Sequence, residues 1–150
     1  MTRRVLGAVV GIAVLLGGLL VATPAQAVDG LEFVYVGEQW DEPEGRAEAH
    51  IDFRSRTSVV FRDFTVRDVC PGDGLPVRAR AGWTYTDGSP GVSSWKADTN
   101  GCGPNGTNFG DISHTGSRVV ARAWITVCVY RQSGGNVRCE TSYGLDNQYR

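Results

Sequence analysis

Two stretches of strict alternation constrain this chain more than any other feature. In the first, Ala47, Ala49, Ile51 and Phe53 alternate with Arg46, Glu48, His50, Asp52 and Arg54. In the second, Val77, Ala79, Ala81, Trp83 and Tyr85 alternate with Arg78, Arg80, Gly82, Thr84 and Thr86. Successive side chains on a strand point to opposite faces, so each stretch predicts a strand with one dry and one wet face. Leu31, Phe33 and Tyr35 make a shorter run of the same kind. Residues 58–69 are rich in β-branched and aromatic types but change phase near Arg62-Asp63, which predicts a bulge.

The rest of the chain fits the same picture. DGSPG at 87–91 is a turn by composition. The VSSW that follows is expected to pair back on the preceding strand and set Trp95 opposite Trp83. Residues 97–108 form a long loop rich in Gly, Asn and Asp, and FGDISH after it holds a short strand. Residues 117–131 predict a long strand, 136–144 its partner, and 146–150 a tail. No segment after residue 27 carries a helical apolar period. About eight strands joined by short turns argue a single antiparallel β-sandwich, of which an immunoglobulin-like topology is one form. A closed barrel is the alternative.

The first 27 residues read differently. Arg3 and Arg4 precede an 18-residue apolar run at 5–22, and small residues at Ala25 and Ala27 flank Gln26. A basic start, an apolar stretch and an A-x-A site predict a secretory signal cleaved after Ala27. The competing reading is an uncleaved anchor, for which the run is just long enough. Pro24 and the four glycines within the run favour cleavage. The mature chain is then 28–150, or 150 − 27 = 123 residues, the length of one domain. A domain of that size buries roughly two-thirds of its unfolded surface. Removing Arg3 and Arg4 leaves 13 basic against 16 acidic residues, a net charge of −3. Without a positive field the chain is not expected to bind nucleic acid, and after cleavage it is not expected to bind a membrane. Arginine outnumbers lysine 14 to 1. With this leader and the abundance of Gly, Ala and Val, the chain resembles the small secreted proteins of high-GC Gram-positive bacteria. That resemblance is one of style and implies no functional residue.

Four cysteines behind such a leader read as two disulfides. In VCVYRQSGGNVRC, residues 127–139, a turn at Ser133-Gly134 pairs Arg131 with Asn136, Tyr130 with Val137 and Cys128 with Cys139. Directly opposed Cα atoms lie about 4.5–5.5 Å apart, within disulfide reach. Cys70 and Cys102 then pair by elimination. In the loop-entropy account the two bridges contribute at most roughly 3 and 4 kcal/mol. The spacings of 32, 26 and 11 fit neither a zinc cluster nor a C-x-x-C redox pair. One conflict stays open at this level. Ala121, Ala123, Ile125, Val127 and Val129 form a drier face than Trp124, Thr126, Cys128 and Tyr130, and sequence does not say which is buried.

Chemistry-bearing residues are sparse. His50 sits on a polar strand face, with Glu48 near it and Glu140 as a further carboxylate. His114 lies near Asp111, Ser113, Ser117 and Arg118, a set from which a small hydrolase site can be drawn. No G-x-S-x-G or H-E-x-x-H signature supports either. Glu38, Asp41, Glu42 and Glu44 cluster without the spacing of a calcium loop, and the same holds for Asp68, Asp73 and Asp98. No metal, cofactor or catalytic residue is assigned. The aromatic residues are the best binding lead: Trp40 in the acidic segment, Trp95, and Trp83 if it faces outward. The expected function is a secreted non-catalytic binding or interaction module for a cell-envelope or matrix polymer, or for another protein. A hydrolase inhibitor presenting the loop at 97–108 is the alternative, and a small hydrolase using His114 and Asp111 the third.

Overall fold

The computed structural model describes residues 29–37, 44–69, 75–131 and 135–150 of the chain. The expected leader and its cleavage site lie outside the described residues. The described residues hold eleven strands and no helix: β1 Gly30–Val36, β2 Gly45–Ser55, β3 Ser58–Asp68, β4 Val77–Tyr85, β5 Pro90–Val92, β6 Lys96–Ala97, β7 Thr107–Asn108, β8 Ile112–Thr115, β9 Val120–Tyr130, β10 Asn136–Thr141 and β11 Leu145–Asp146. They form two sheets, paired antiparallel throughout. The first runs β1-β2-β3, with β7 and β8 both on β3; the second runs β10-β9-β4, with β5 and β6 both on β4 and β11 on β9. Three consecutive strands side by side are a meander, which is not the ABED order of an immunoglobulin domain.

Alternation in the sequence becomes two-faced strands. Ala47, Ala49, Ile51 and Phe53 of β2 and Val77, Ala79, Ala81 and Trp83 of β4 are buried, and one core cluster draws on both sheets. On β3 the buried positions are Val59, Phe61, Phe64 and Val66. The step of three falls at Asp63, whose φ of 52° marks the expected bulge. There the partner of β3 changes: β8 pairs its first half and β7 its second. Asp111 Oδ1 accepts the Asp63 N–H at 3.3 Å, and the Phe64 N–H donates to Gly110 O at 2.9 Å.

β1 reverses the simple reading. Leu31, Phe33 and Tyr35 point outward, with 59%, 52% and 42% of their surface exposed, while Val34 and Val36 are buried. Register explains it. Val34 opposes Ala47 and Val36 opposes Gly45, and directly opposed residues share a face. The turn at 87–91 also differs. It centres on Asp87, so that Trp83 opposes Gly91 rather than Trp95. Asp-Gly is the stronger hairpin signal: Asp87 Oδ1 accepts the Ser89 N–H at 3.0 Å, and Gly88 takes a φ of 83°.

The hairpin at 127–139 forms as the spacing requires. Cys128 opposes Cys139, and their sulfurs are bonded. Nearer the turn the register is one residue off the expected one, since Asn136 opposes Tyr130 and an irregularity at Val137 absorbs the difference. Cys70 lies outside the described residues, and with it the expected second bridge to Cys102. The buried face of β9 is Val120, Ala123, Ile125, Val127 and Val129. A shift opposite Thr84 and Tyr85 leaves Ala121 as the extra residue, so Val120 takes the core place expected of it. The disulfide therefore lies on the outward face. The expected tail is structured too: Leu145 and Asp146 pair with Ala123 and Arg122.

Candidate binding face

The outward face of the second sheet is built from β4 and β9. Their register sets Arg78 opposite Cys128, Arg80 opposite Thr126 and Gly82 opposite Trp124. Between Val92 and Lys96 the chain crosses back along β4. Ser93 donates its N–H to Ala81 O, and its hydroxyl accepts the Ala81 N–H. That detour lays Trp95, half-buried, across both arginines: Arg78 Cζ is 4.7 Å and Arg80 Cζ 4.4 Å from the indole centroid. Arg78 also lies 4.5 Å from the Tyr130 ring centroid. At these distances the guanidinium charge is attracted to the negative ring face. The Trp124 ring rests on Gly82, where a Cβ would come within 2.5 Å of it. Thr126 and Thr141 join hydroxyls at 3.0 Å on the same face.

The two arginines differ in what occupies them. Arg78 donates from Nε and Nη2 to Asn136 Oδ1, the first at 2.8 Å. Arg80 has no hydrogen-bond partner among the described residues, and its Nε is shut off from solvent. Among the described residues neither arginine meets a carboxylate. The face thus presents two cations and three aromatic rings.

The first sheet carries the other aromatic row, Phe33 and Tyr35, with Arg46 over both rings at 5.7 and 5.3 Å. Arg46 is paired with Glu48, so that cation is already compensated.

The remaining candidates are dispersed. His114, half-buried, stacks on Trp83 with centroids 4.1 Å apart, and its Nε2 lies 3.3 Å from Tyr85 Oη. Burial lowers its pKa below the ordinary 6.5. Arg118 covers the Tyr85 ring at 3.8 Å and reaches Asp87 and Ser89. Asp111 is spent on Asp63, and no hydrogen bond joins it to His114 among the described residues. Ser113 and Ser117 are exposed, as is His50, while Glu140 lies on the other sheet. Asp98 is a loop hub: it accepts from the N–H groups of Asp68 and Asn100 and from the Thr107 hydroxyl. Glu44 binds Arg138 at 2.6 Å. Trp83 is 8% exposed and belongs to the core. Trp40, Glu38, Asp41, Glu42 and Asp73 lie outside the described residues.

Of the sequence leads, then, Trp95 alone stands on this face. Arg78 and Arg80 were legible on the polar face of their strand, whereas Trp124 and Tyr130 lie on a strand face whose burial the sequence left open. Only the pairing of β4 with β9 brings them together. Comparison of the chain with protein-family models, with curated proteins and with solved structures gave no match.

Proposed function

We propose that this chain is a secreted, non-catalytic binding module. In this reading the two sheets pack as a β-sandwich, stapled by Cys128–Cys139 and Cys70–Cys102, and the outward face of the second sheet meets the ligand. The carrying observation is Trp95, half-buried against two arginines that meet no carboxylate among the described residues. The A-x-A leader supports export, and the shared core cluster supports the sandwich. The ligand is a cell-envelope or matrix polymer, or an extracellular protein. The test is retention on insoluble polysaccharides, peptidoglycan and surface proteins, comparing the native chain with Trp95→Ala and Tyr130→Ala. Each substitution is expected to weaken retention about five- to tenfold. Undiminished retention of both variants would contradict the assignment of this face.

A hydrolase inhibitor is the second reading, favoured by the stiffness of the loop at 97–108. Besides the Asp98 contacts, Thr107 Oγ1 accepts the Thr99 N–H at 2.9 Å and Asn100 Nδ2 donates to Gly106 O at 2.9 Å. Fast and complete cleavage of the native protein within this loop would end that reading. A hydrolase built on His114 and Asp111 draws no support from their separate hydrogen bonds.

A further inference from the structure

We infer that the face holding Arg78, Arg80 and Trp95 takes an acidic glycan, a sugar chain whose rings carry carboxylate groups. This rests on the binding-module reading and names its ligand class.

A guanidinium pressed against an indole has lost water from its ring side, and here the Nε of Arg80 is also shut off from solvent without a partner. The Nη donors of Arg80 bond no described residue, and they are the ones a charged acceptor can meet at the free edge of the guanidinium. A carboxylate matches the guanidinium fork with two parallel N–H···O bonds. Arg78 adds a second cation two residues along the same strand face, braced between Trp95 and Tyr130 and aligned by Asn136. No described carboxylate reaches either arginine, which leaves both cations open to the charge of a ligand.

The rings set the rest of the chemistry. Along the face, Trp124, Arg80, Trp95, Arg78 and Tyr130 alternate ring with cation. On β9 the track from Trp124 to Tyr130 covers six residue steps, about 20 Å of strand. Such a row suits an extended repeating ligand better than one small molecule. A uronic acid unit offers both complements at once, with an apolar C–H face for a ring and a carboxylate for a guanidinium. The hydroxyls of Thr126 and Thr141 stand beside the track for sugar hydroxyls. A nucleic acid fits less well. Its dense phosphate charge calls for a broad positive field, and 13 basic against 16 acidic residues beyond the leader do not supply one.

The experiment is a calorimetric titration of the exported protein with polygalacturonate, with the same polymer after full methyl esterification, and with inorganic polyphosphate. Arg80→Gln, Arg80→Lys and, as a control on the first sheet, Arg54→Gln are titrated alongside, each after its melting temperature is checked. The acidic polymer is expected to bind. Methyl esterification and Arg80→Gln should each weaken binding about tenfold or more. Arg80→Lys should recover only part of the loss, because lysine keeps the charge without the planar fork. Arg54→Gln should change nothing. Equal binding of the acidic and esterified polymers would overturn the acidic-glycan inference and leave the binding module standing. Equal binding of polyphosphate and polygalacturonate would overturn it in favour of unselective anion capture. Retention of the protein by none of these polymers, nor by any surface in the retention panel, would overturn both readings.

Discussion

Asn147 is the one buried polar residue among those described, and it acts as a latch. Its Nδ2 donates to Val120 O at 2.9 Å and to Ser55 O at 3.1 Å, and its Oδ1 accepts the Tyr149 N–H at 2.9 Å. It thereby ties the end of the chain to the β2–β3 turn. Asn147→Ala strips these carbonyls of a donor in a dry place, so it should cost about 2 kcal/mol, read as a shift of the urea midpoint. Nothing in the sequence marks this residue, because its partners are main-chain carbonyls more than twenty-five residues away. His114 also belongs to this scale. Its folded pKa is depressed by burial, so the folded state holds it neutral where the unfolded state is already protonated. Stability is then full above the unfolded value of about 6.5 and is lost as pH falls through the folded value. The melting temperature should drop on acidification through that window. His114→Phe, which keeps a ring on Trp83, should flatten that part of the profile. An unchanged profile would show that the histidine is not held neutral.

Among the elements, the hairpin of β9 and β10 was the most legible from sequence. The turn residues and an eleven-residue separation suffice to place Cys128 against Cys139. Removing both sulfurs by Cys128→Ala with Cys139→Ala should cost about 2–3 kcal/mol, measured by denaturant unfolding. The strand faces of β2 and β4 were equally legible, because period two leaves little choice once one side is apolar. β1 was not: its two rows are similarly apolar, and only pairing with β2 decides between them. The pairing of Trp83 with Trp95 failed for a local reason, the Asp87 carboxylate that fixes the turn at Asp87. Gly82 makes the β4–β9 register visible to experiment. A methyl there meets the Trp124 ring, so Gly82→Ala should cost about 1–3 kcal/mol and displace that indole, which tryptophan fluorescence would report.

For the whole molecule, all-β architecture was readable from alternation alone, whereas the sheet order was not. Period two says which residues face inward, yet it is silent on which strand lies beside which. The candidate face illustrates the limit. Alternation placed only Arg78 and Arg80 outward, and their encounter with Trp95 depends on a detour that Ser93 sets up. Export is a separate prediction carried by the first 27 residues: the secreted form should begin at Val28, as N-terminal sequencing would show. The outward face of the second sheet is the central claim, and amide and side-chain NMR of the 28–150 chain titrated with oligogalacturonate tests it directly. The signals of the Arg78 and Arg80 Nε–H groups and the Trp95 indole should move first and furthest. Shifts confined to residues 97–108 or to the first sheet would contradict it, and no shifts at all would contradict the acidic-glycan inference.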